Sequence, residues 1–261
     1  MPIGLIAGGG RLPDVFLRSA RRQGEEVVSV GVEGITDISV DELLPLGKVG
    51  RLLKFFKRKG VDRVVMLGKF EHRLIYTSLL DFDLKALSVL RKAKDRRAVS
   101  LIKAFMELCE EEGFEFIDPR PFLEEILARE GVMGKVTPGR DAMEDGIFGF
   151  SIAKELAELD VGQTVVVKDR AVVAVEGMEG TQETIRRGGK LAGRGVRVIK
   201  VARKNQDFRV DVPTVGSETL EVLREVKADA LFLEAGKVYV VDRERFIKQA
   251  DRLGIGVVGL C

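Results

Sequence analysis

The opening stretch restricts the fold more than any other. Ile3 to Ala7 is a short apolar run that reads as a strand and enters Gly8-Gly9-Gly10-Arg11-Leu12-Pro13. Asp14 to Gln23 then spaces Val15, Phe16 and Ala20 as the apolar side of a helix, and Glu26 to Val32 reads as a second strand. Two strands joined through a helix lie parallel, so the chain begins with a βαβ unit. The alternation continues. Leu43 to Lys59 is expected as a helix with Leu43, Leu44, Leu52, Leu53 and Phe56 on its apolar face, and Val61 to Leu67 as a strand. Phe70 to Phe82, with Leu74, Ile75, Tyr76, Leu79, Leu80 and Phe82, is either a core helix or an apolar wall for a greasy ligand. Asp95 to Glu112 is expected as a helix, Phe114 to Ile117 as a strand and Pro119 to Glu130 as a shorter helix. This pattern predicts a parallel sheet with helices on both faces, a Rossmann-like N-terminal domain over 1–130.

Composition shifts at Gly131 to Gly139, which has the look of an interdomain linker over 131–139. A C-terminal α/β catalytic domain follows over 140–261. Arg140 to Leu159 is expected as a long helix, and Gln163 to Lys168 and Ala171 to Glu176 as a hairpin turning at Asp169-Arg170. Thr181 to Gly189 reads as a helix ended by its Gly-Gly pair, and Val196 to Val201 as a strand. Beyond these come a helix to Lys227 beginning at Thr214 or Ser217, strands Ala230 to Glu234 and Val238 to Val241, helix Arg243 to Leu253 and a last strand, Gly256 to Leu260. The fold class is therefore α/β in two domains, the first with a parallel sheet and the second with a mixed one.

With 45% apolar and 32% charged residues in 261, the chain has ample material for a core. Net charge is only +2, and with no aromatic-rich basic tract the sequence does not predict a nucleic-acid binder. Cys109 and Cys261 lie far apart and suit a reducing compartment without a disulfide framework. One histidine, His72, and two scattered cysteines do not supply a structural zinc site, and a histidine-based triad would have a single candidate base. No apolar run approaches the roughly 20 residues needed to span a bilayer, and the start lacks a signal peptide's basic head, so a cytoplasmic protein is expected.

Polar chemistry concentrates between residues 203 and 216. Arg203, Lys204, Arg209, Asp207, Asp211 and Asn205, the sole asparagine of the chain, all fall in this connection from a strand to a helix. An extended Phe208 to Val212 would put Asp207, Arg209 and Asp211 on one face. Converging carboxylates there could hold a hard divalent cation and the neighbouring cations phosphate; a solvated loop with ordinary ion pairs is the competing reading. Lys69, just past the end of a parallel strand, lies where open α/β sheets bind ligands, and the glycine turn could bring backbone N–H groups to a phosphate. Pro13, however, stands where a dinucleotide fingerprint needs its third glycine. Asp141, Glu144 and Asp145 open the long helix, where they either complement its dipole or meet a ligand.

Gly4 to Pro13, Thr137-Pro-Gly-Arg-Asp-Ala-Met143, Lys204 to Gly216 and Glu234-Ala-Gly236 together resemble the UDP-2,3-diacylglucosamine pyrophosphatases of the I type, from lipid A synthesis. The resemblance runs nearly end to end, and the stretch from Lys204 is its specific part. It implies hydrolysis of a lipidated UDP-sugar to UMP and the diacylated sugar 1-phosphate at a cleft between two α/β domains. Asp211 and Asp207 would be the catalytic and metal-binding residues, with Mg2+ or Mn2+ as cofactor. Gly9, Gly10, Arg11, Lys69, Thr137, Arg140, Asp141, Lys204 and Arg209 would bind substrate. The implied setting is the cytoplasm, with room for peripheral contact at the inner membrane and for a homodimer. Two rivals stand beside this: an oxidoreductase that uses the N-terminal glycine turn for a dinucleotide, and a non-catalytic carrier of nucleotide-sugar lipids.

Overall fold

The computed structural model describes residues 1–70, 82–94, 98–209 and 212–261, so His72, Leu74, Ile75, Tyr76, Leu79, Leu80 and Asp211 lie outside the described residues. Two compact units make up the chain: Met1–Leu123 with Phe208–Val210, and Glu124–Asp207 with Asp211–Cys261.

The first unit contains β1 (Ile3–Ala7), α1 (Leu12–Arg22), β2 (Val27–Val32), β3 (Glu42–Leu44), α2 (Val49–Arg58), β4 (Arg63–Leu67), α3 (Leu84–Lys92), α4 (Ala98–Glu111), β5 (Glu115–Phe116) and the single turn α5 (Arg120–Leu123). Its five strands are parallel in the order β3-β2-β1-β4-β5. Every residue of β1 and β2 is buried, which is why both read as unbroken apolar runs rather than as alternating ones. Strand order reverses between β1 and β4, and that reversal is the switch point at which such sheets receive ligands.

Three expectations change here. Leu43 and Leu44 do not belong to a helix: they form β3, where Leu44 pairs with Val32. Pro45 biases the residue before it toward extended backbone, so the helix waits until Val49. Helix α3, which the sequence pattern did not suggest, starts on the side chain of Asp83, whose Oδ1 accepts the Ala86 N–H at 2.9 Å. The helix expected from Pro119 to Glu130 stops early because Leu127 and Ala128 turn to the backbone of Tyr239 and Val238.

The second unit contains β6 (Gly131–Val132), α6 (Arg140–Glu158), β7 (Thr164–Lys168), β8 (Ala171–Val175), α7 (Gly180–Ala192), β9 (Arg197–Lys200), β10 (Thr214–Val215), α8 (Ser217–Glu225), β11 (Ala230–Glu234), β12 (Tyr239–Val240), α9 (Arg243–Arg252) and β13 (Gly256–Leu260). Six strands form one mixed sheet in the order β6-β13-β11-β9-β7-β8, with β9, β11 and β13 parallel at its centre. β6, inside the stretch expected as linker, pairs antiparallel with β13, and β10 and β12 form a small parallel pair of their own. The Gly188-Gly189 pair does not end α7 but sits inside it. A Cβ on Gly188 would come within 2.6 Å of Val166 and one on Gly189 within 2.4 Å of Val226, so both are glycines because the helix packs tightly against β7 and the segment after α8.

Gly146 in α6 makes the same point as a prediction. A Cβ there would lie 2.4 Å from the ring of Phe232, which is fully buried. Alanine in a helix interior is favoured over glycine by roughly 1 kcal/mol, but overpacking a filled core costs typically about 1–3 kcal/mol. Gly146→Ala should therefore lower the urea midpoint at unchanged m-value; a raised midpoint would show that Phe232 yields freely.

Candidate active site

At the switch point of the first unit the two glycine-containing turns are tied together. Gly9 N–H donates to Lys69 O and Lys69 N–H to Gly9 O, both at 2.9 Å, while Gly8 N–H donates to Leu67 O at 2.8 Å. Gly68 has φ +102°, and a Cβ on it would lie 2.8 Å from the Gly8 carbonyl carbon, so only glycine allows this approach. Gly10, at φ +86°, donates its N–H to Asp37 Oδ1 at 3.1 Å. The structure thus brings Gly9, Gly10, Arg11 and Lys69 together at the carboxyl ends of β1 and β4. The amides of Gly8, Gly9 and Gly10 all have partners within the protein. An anion arriving here would meet the exposed Arg11 and Lys69 beside the N-terminus of α1, which has no side-chain cap. Asp37 escaped the sequence reading, although an acid beyond the second strand of a βαβ unit is the position from which such folds reach ribose hydroxyls.

In the second unit the segment that begins at residue 203 leaves the sheet through a clamped peptide. Ala202 N–H donates to Glu234 Oε2 at 2.8 Å, and Ala202 O accepts from Lys154 Nζ at 2.7 Å. Lys154 Nζ lies 3.0 Å from each carboxylate oxygen of Glu234, and Lys237 Nζ lies 2.8 Å from Oε1. Burial pushes the Glu234 carboxyl up, but Lys237, the Ala202 amide and Lys154 outweigh it and hold it below the ordinary value. Further along, Arg203 pairs with Asp160 at 2.8 Å, and Gln206 Oε1 accepts from Gln163 Nε2 at 2.9 Å and from Arg203 N–H at 3.3 Å. Beneath the segment, buried Lys200 donates to Thr181 Oγ1 at 2.7 Å; burial raises the neighbouring Glu176 carboxyl, but Lys200 and hydrogen bonds bring it below normal. The sequence pointed to Glu234 only through the resemblance and to Lys154 not at all, because a lysine within an amphipathic helix carries no local signal.

Phe208 and Arg209 form a turn, not the extended run expected, so strand alternation does not place Asp207 and Arg209 on one face. The Arg120 guanidinium lies 4.1 Å from the centroid of the Phe208 ring and is itself anchored by Asp118, which accepts its Nε at 2.7 Å. Arg209 Nη1 lies 3.8 Å from Glu110. Lys204 is exposed and Asp207 half-buried.

Thr137, Arg140 and Asp141 stand elsewhere in the second unit. Pro138 packs where a Cβ on Gly256, the first residue of β13, would fall, and Lys135 N–H donates to Asp251 at 2.7 Å. Five residues into α6, Asp145 accepts the N–H groups of Asp169 and Arg170 at 3.0 and 2.6 Å and pairs with Arg197 at the start of β9 at 3.3 Å. Asp145 therefore stabilises the hairpin turn, where both residues have positive φ, and is not free for a ligand. These contacts put Thr137, Arg140 and Asp141 at the amino-terminal edge of the parallel strands. Lys204 and Asp207 follow the carboxyl edge, so the second unit by itself does not gather the two groups into one site.

Among the described residues there is no group of three or more His, Cys, Asp or Glu placed to hold a metal, and no helix long and apolar enough to cross a membrane. Burial, with Glu110 and Glu112 nearby, pushes the Cys109 thiol up to about 12, so it is no nucleophile at neutral pH.

Comparison with known proteins follows the division into units. Residues 2–126 match the LpxI N-terminal domain and residues 129–258 the LpxI C-terminal domain. The UDP-2,3-diacylglucosamine pyrophosphatase LpxI of Caulobacter vibrioides is 32% identical, with 99% of this chain and 97% of that protein aligned. Among solved structures, biotin carboxylase from Campylobacter jejuni is 11% identical with TM-score 0.22, covering 73% of this chain and 42% of that one. A meso-dapdh mutant from Clostridium tetani is 12% identical with TM-score 0.27, covering 92% and 71%. The likenesses to solved structures are too slight to argue from, whereas both domain matches and a relative aligned over nearly its whole length agree: this chain belongs to the LpxI family.

Proposed function

We propose that the chain hydrolyses UDP-2,3-diacylglucosamine to UMP and 2,3-diacylglucosamine 1-phosphate for lipid A synthesis, with residues 203–211 as the part that meets the pyrophosphate. The supporting observation is the clamp on Ala202. It fixes the backbone just before Lys204 and Asp207, and reactions at phosphorus depend mainly on positioning and charge stabilisation. Water adds to the α-phosphorus, the bridging P–O bond breaks with its electron pair leaving on the sugar phosphate, and Asp211 orients the water and takes its proton. Lys204 and Arg209 neutralise charge on the phosphoryl oxygens. Asp207 and Asp211 offer hard oxygen donors, which fits Mg2+ or Mn2+, since Mg2+ is commonly held by one or two carboxylates with substrate phosphates completing the shell. Such an ion would supply charge stabilisation at the phosphates. The chain would act in the cytoplasm, where its lipid substrate lies at the inner membrane.

Two assays test this. UMP release from the diacylated substrate should stop in EDTA and return with Mg2+; activity unaffected by EDTA would remove the metal. Each methylene withdrawn from water contributes about 0.8 kcal/mol, so UDP-sugars without acyl chains should be poorer by several orders of magnitude in kcat/KM. Equal kinetics for acylated and bare substrates would leave a general nucleotide-sugar pyrophosphatase instead.

A further inference from the structure

Helix α2 and the residue after it carry five exposed cations, Arg51, Lys54, Lys57, Arg58 and Lys59, and no acidic residue falls between Lys48 and Val61. Arg51, Lys54 and Arg58 recur at helical spacing and share one face. Arg51 pairs with Glu42 at 3.5 Å and Lys57 with Glu112 at 2.5 Å. Lys54 and Arg58 have no acidic partner among the described residues, and Lys59 acts electrostatically on Asp41; Arg58 and Lys59 lie over the Phe55 ring at 5.9 and 5.8 Å. On the same face a hollow of about 500 Å³ is lined by the apolar Leu44 and Phe55, the acid Glu42 and the cations Arg51, Lys54 and Arg58 among others. In a chain of net charge +2 this is a local excess that the rest of the surface balances.

A second feature decides what kind of polyanion fits. Gly50 N–H donates to Asp83 Oδ2 at 2.7 Å, which joins the start of α2 to the start of α3. There Leu84 is 85% exposed and Leu87, one turn on, 41% exposed. A basic face alone suits any polyanion. Leucines standing in water beside it suit a surface with an apolar interior beneath its charges.

We propose that the α2 face, with Leu84 and Leu87 beside it, docks the protein on an anionic phospholipid surface. The cations would meet lipid phosphates and the leucines the acyl boundary. Docking of this kind is read without turnover, so its failure and the failure of the hydrolase reading are distinguishable.

The test is vesicle binding by the full chain, using phosphatidylcholine vesicles with and without about one-third phosphatidylglycerol. The wild type should prefer the anionic vesicles and lose affinity as salt rises. The combined variant Lys54→Glu, Arg58→Glu and Lys59→Glu should lose at least about 100-fold, taking roughly fivefold per cation near such a surface. Leu84→Ser with Leu87→Ser should weaken binding while keeping its salt dependence. Turnover of detergent-dispersed substrate should be unchanged in both variants. The proposal is overturned if the wild type shows no preference for anionic vesicles, if neither variant weakens binding, or if duplex nucleic acid at equal charge concentration binds as tightly as the vesicles.

Discussion

Asp211→Ala is expected to lower kcat by at least about 10³-fold while the affinity for the diacylated UDP-sugar stays within a few-fold of the wild type. A group that orients the attacking water acts mainly in the transition state, so its loss appears in kcat rather than in ground-state binding. Single-turnover rates and calorimetric binding on the same preparation measure the two separately, and a variant with near-normal turnover would end the assignment. Asp207→Ala should act more mildly, raising the Mg2+ concentration needed for half-maximal rate.

Lys154→Met should damage both stability and rate. Glu234 is 5% exposed, and removing the lysine leaves its carboxylate buried with the partly exposed Lys237 as its remaining side-chain cation. Breaking a buried pair in this way costs about 3–5 kcal/mol, and Lys237 should hold the loss toward the lower end. The Ala202 carbonyl also loses its donor, so kcat should fall by about 10- to 100-fold. The carboxyl of Glu234 sits below its ordinary value of 4.5, so its contribution is present above that pH and disappears as pH falls through the lower folded value. Urea midpoints of wild type and variant should therefore differ widely at pH 7 and converge in acid. The double variant Lys154→Met with Glu234→Leu should recover stability without recovering rate; recovery of both would mean the pair serves folding alone.

The architecture of both units was legible because the central strands are buried on both faces and separated by helices with one apolar side. Where the pattern misled, a local competitor prevailed. Pro45 diverted Leu43 and Leu44 into β3, and the backbone of Tyr239 claimed Leu127 from an expected helix. Gly188 and Gly189 read as an ending because glycine is weak in helices, yet the space around them lies in strands and helices distant in sequence. The same limit applies to the candidate site. The cluster at 203–216 announced itself by density of charge, but Lys154 is 48 residues from the peptide it holds and Asp37 is 27 from Gly10. Asp145, read as a dipole partner or ligand, takes its role from a hairpin turn that sequence spacing could not place beside it.

The hold on Ala202 is a hold on main chain: one amide N–H and one carbonyl, groups that nearly every amino acid presents alike. A small residue is needed there because Ala202 is fully buried, but no particular side chain is recognised. The anchor is therefore indifferent to the identity of the residues beyond it. Residues 203–216 could be rewritten for another phosphate ester or another leaving group and still emerge from the sheet at the same point, which makes this unit a reusable mount whose chemistry can diverge without its foundation being rebuilt.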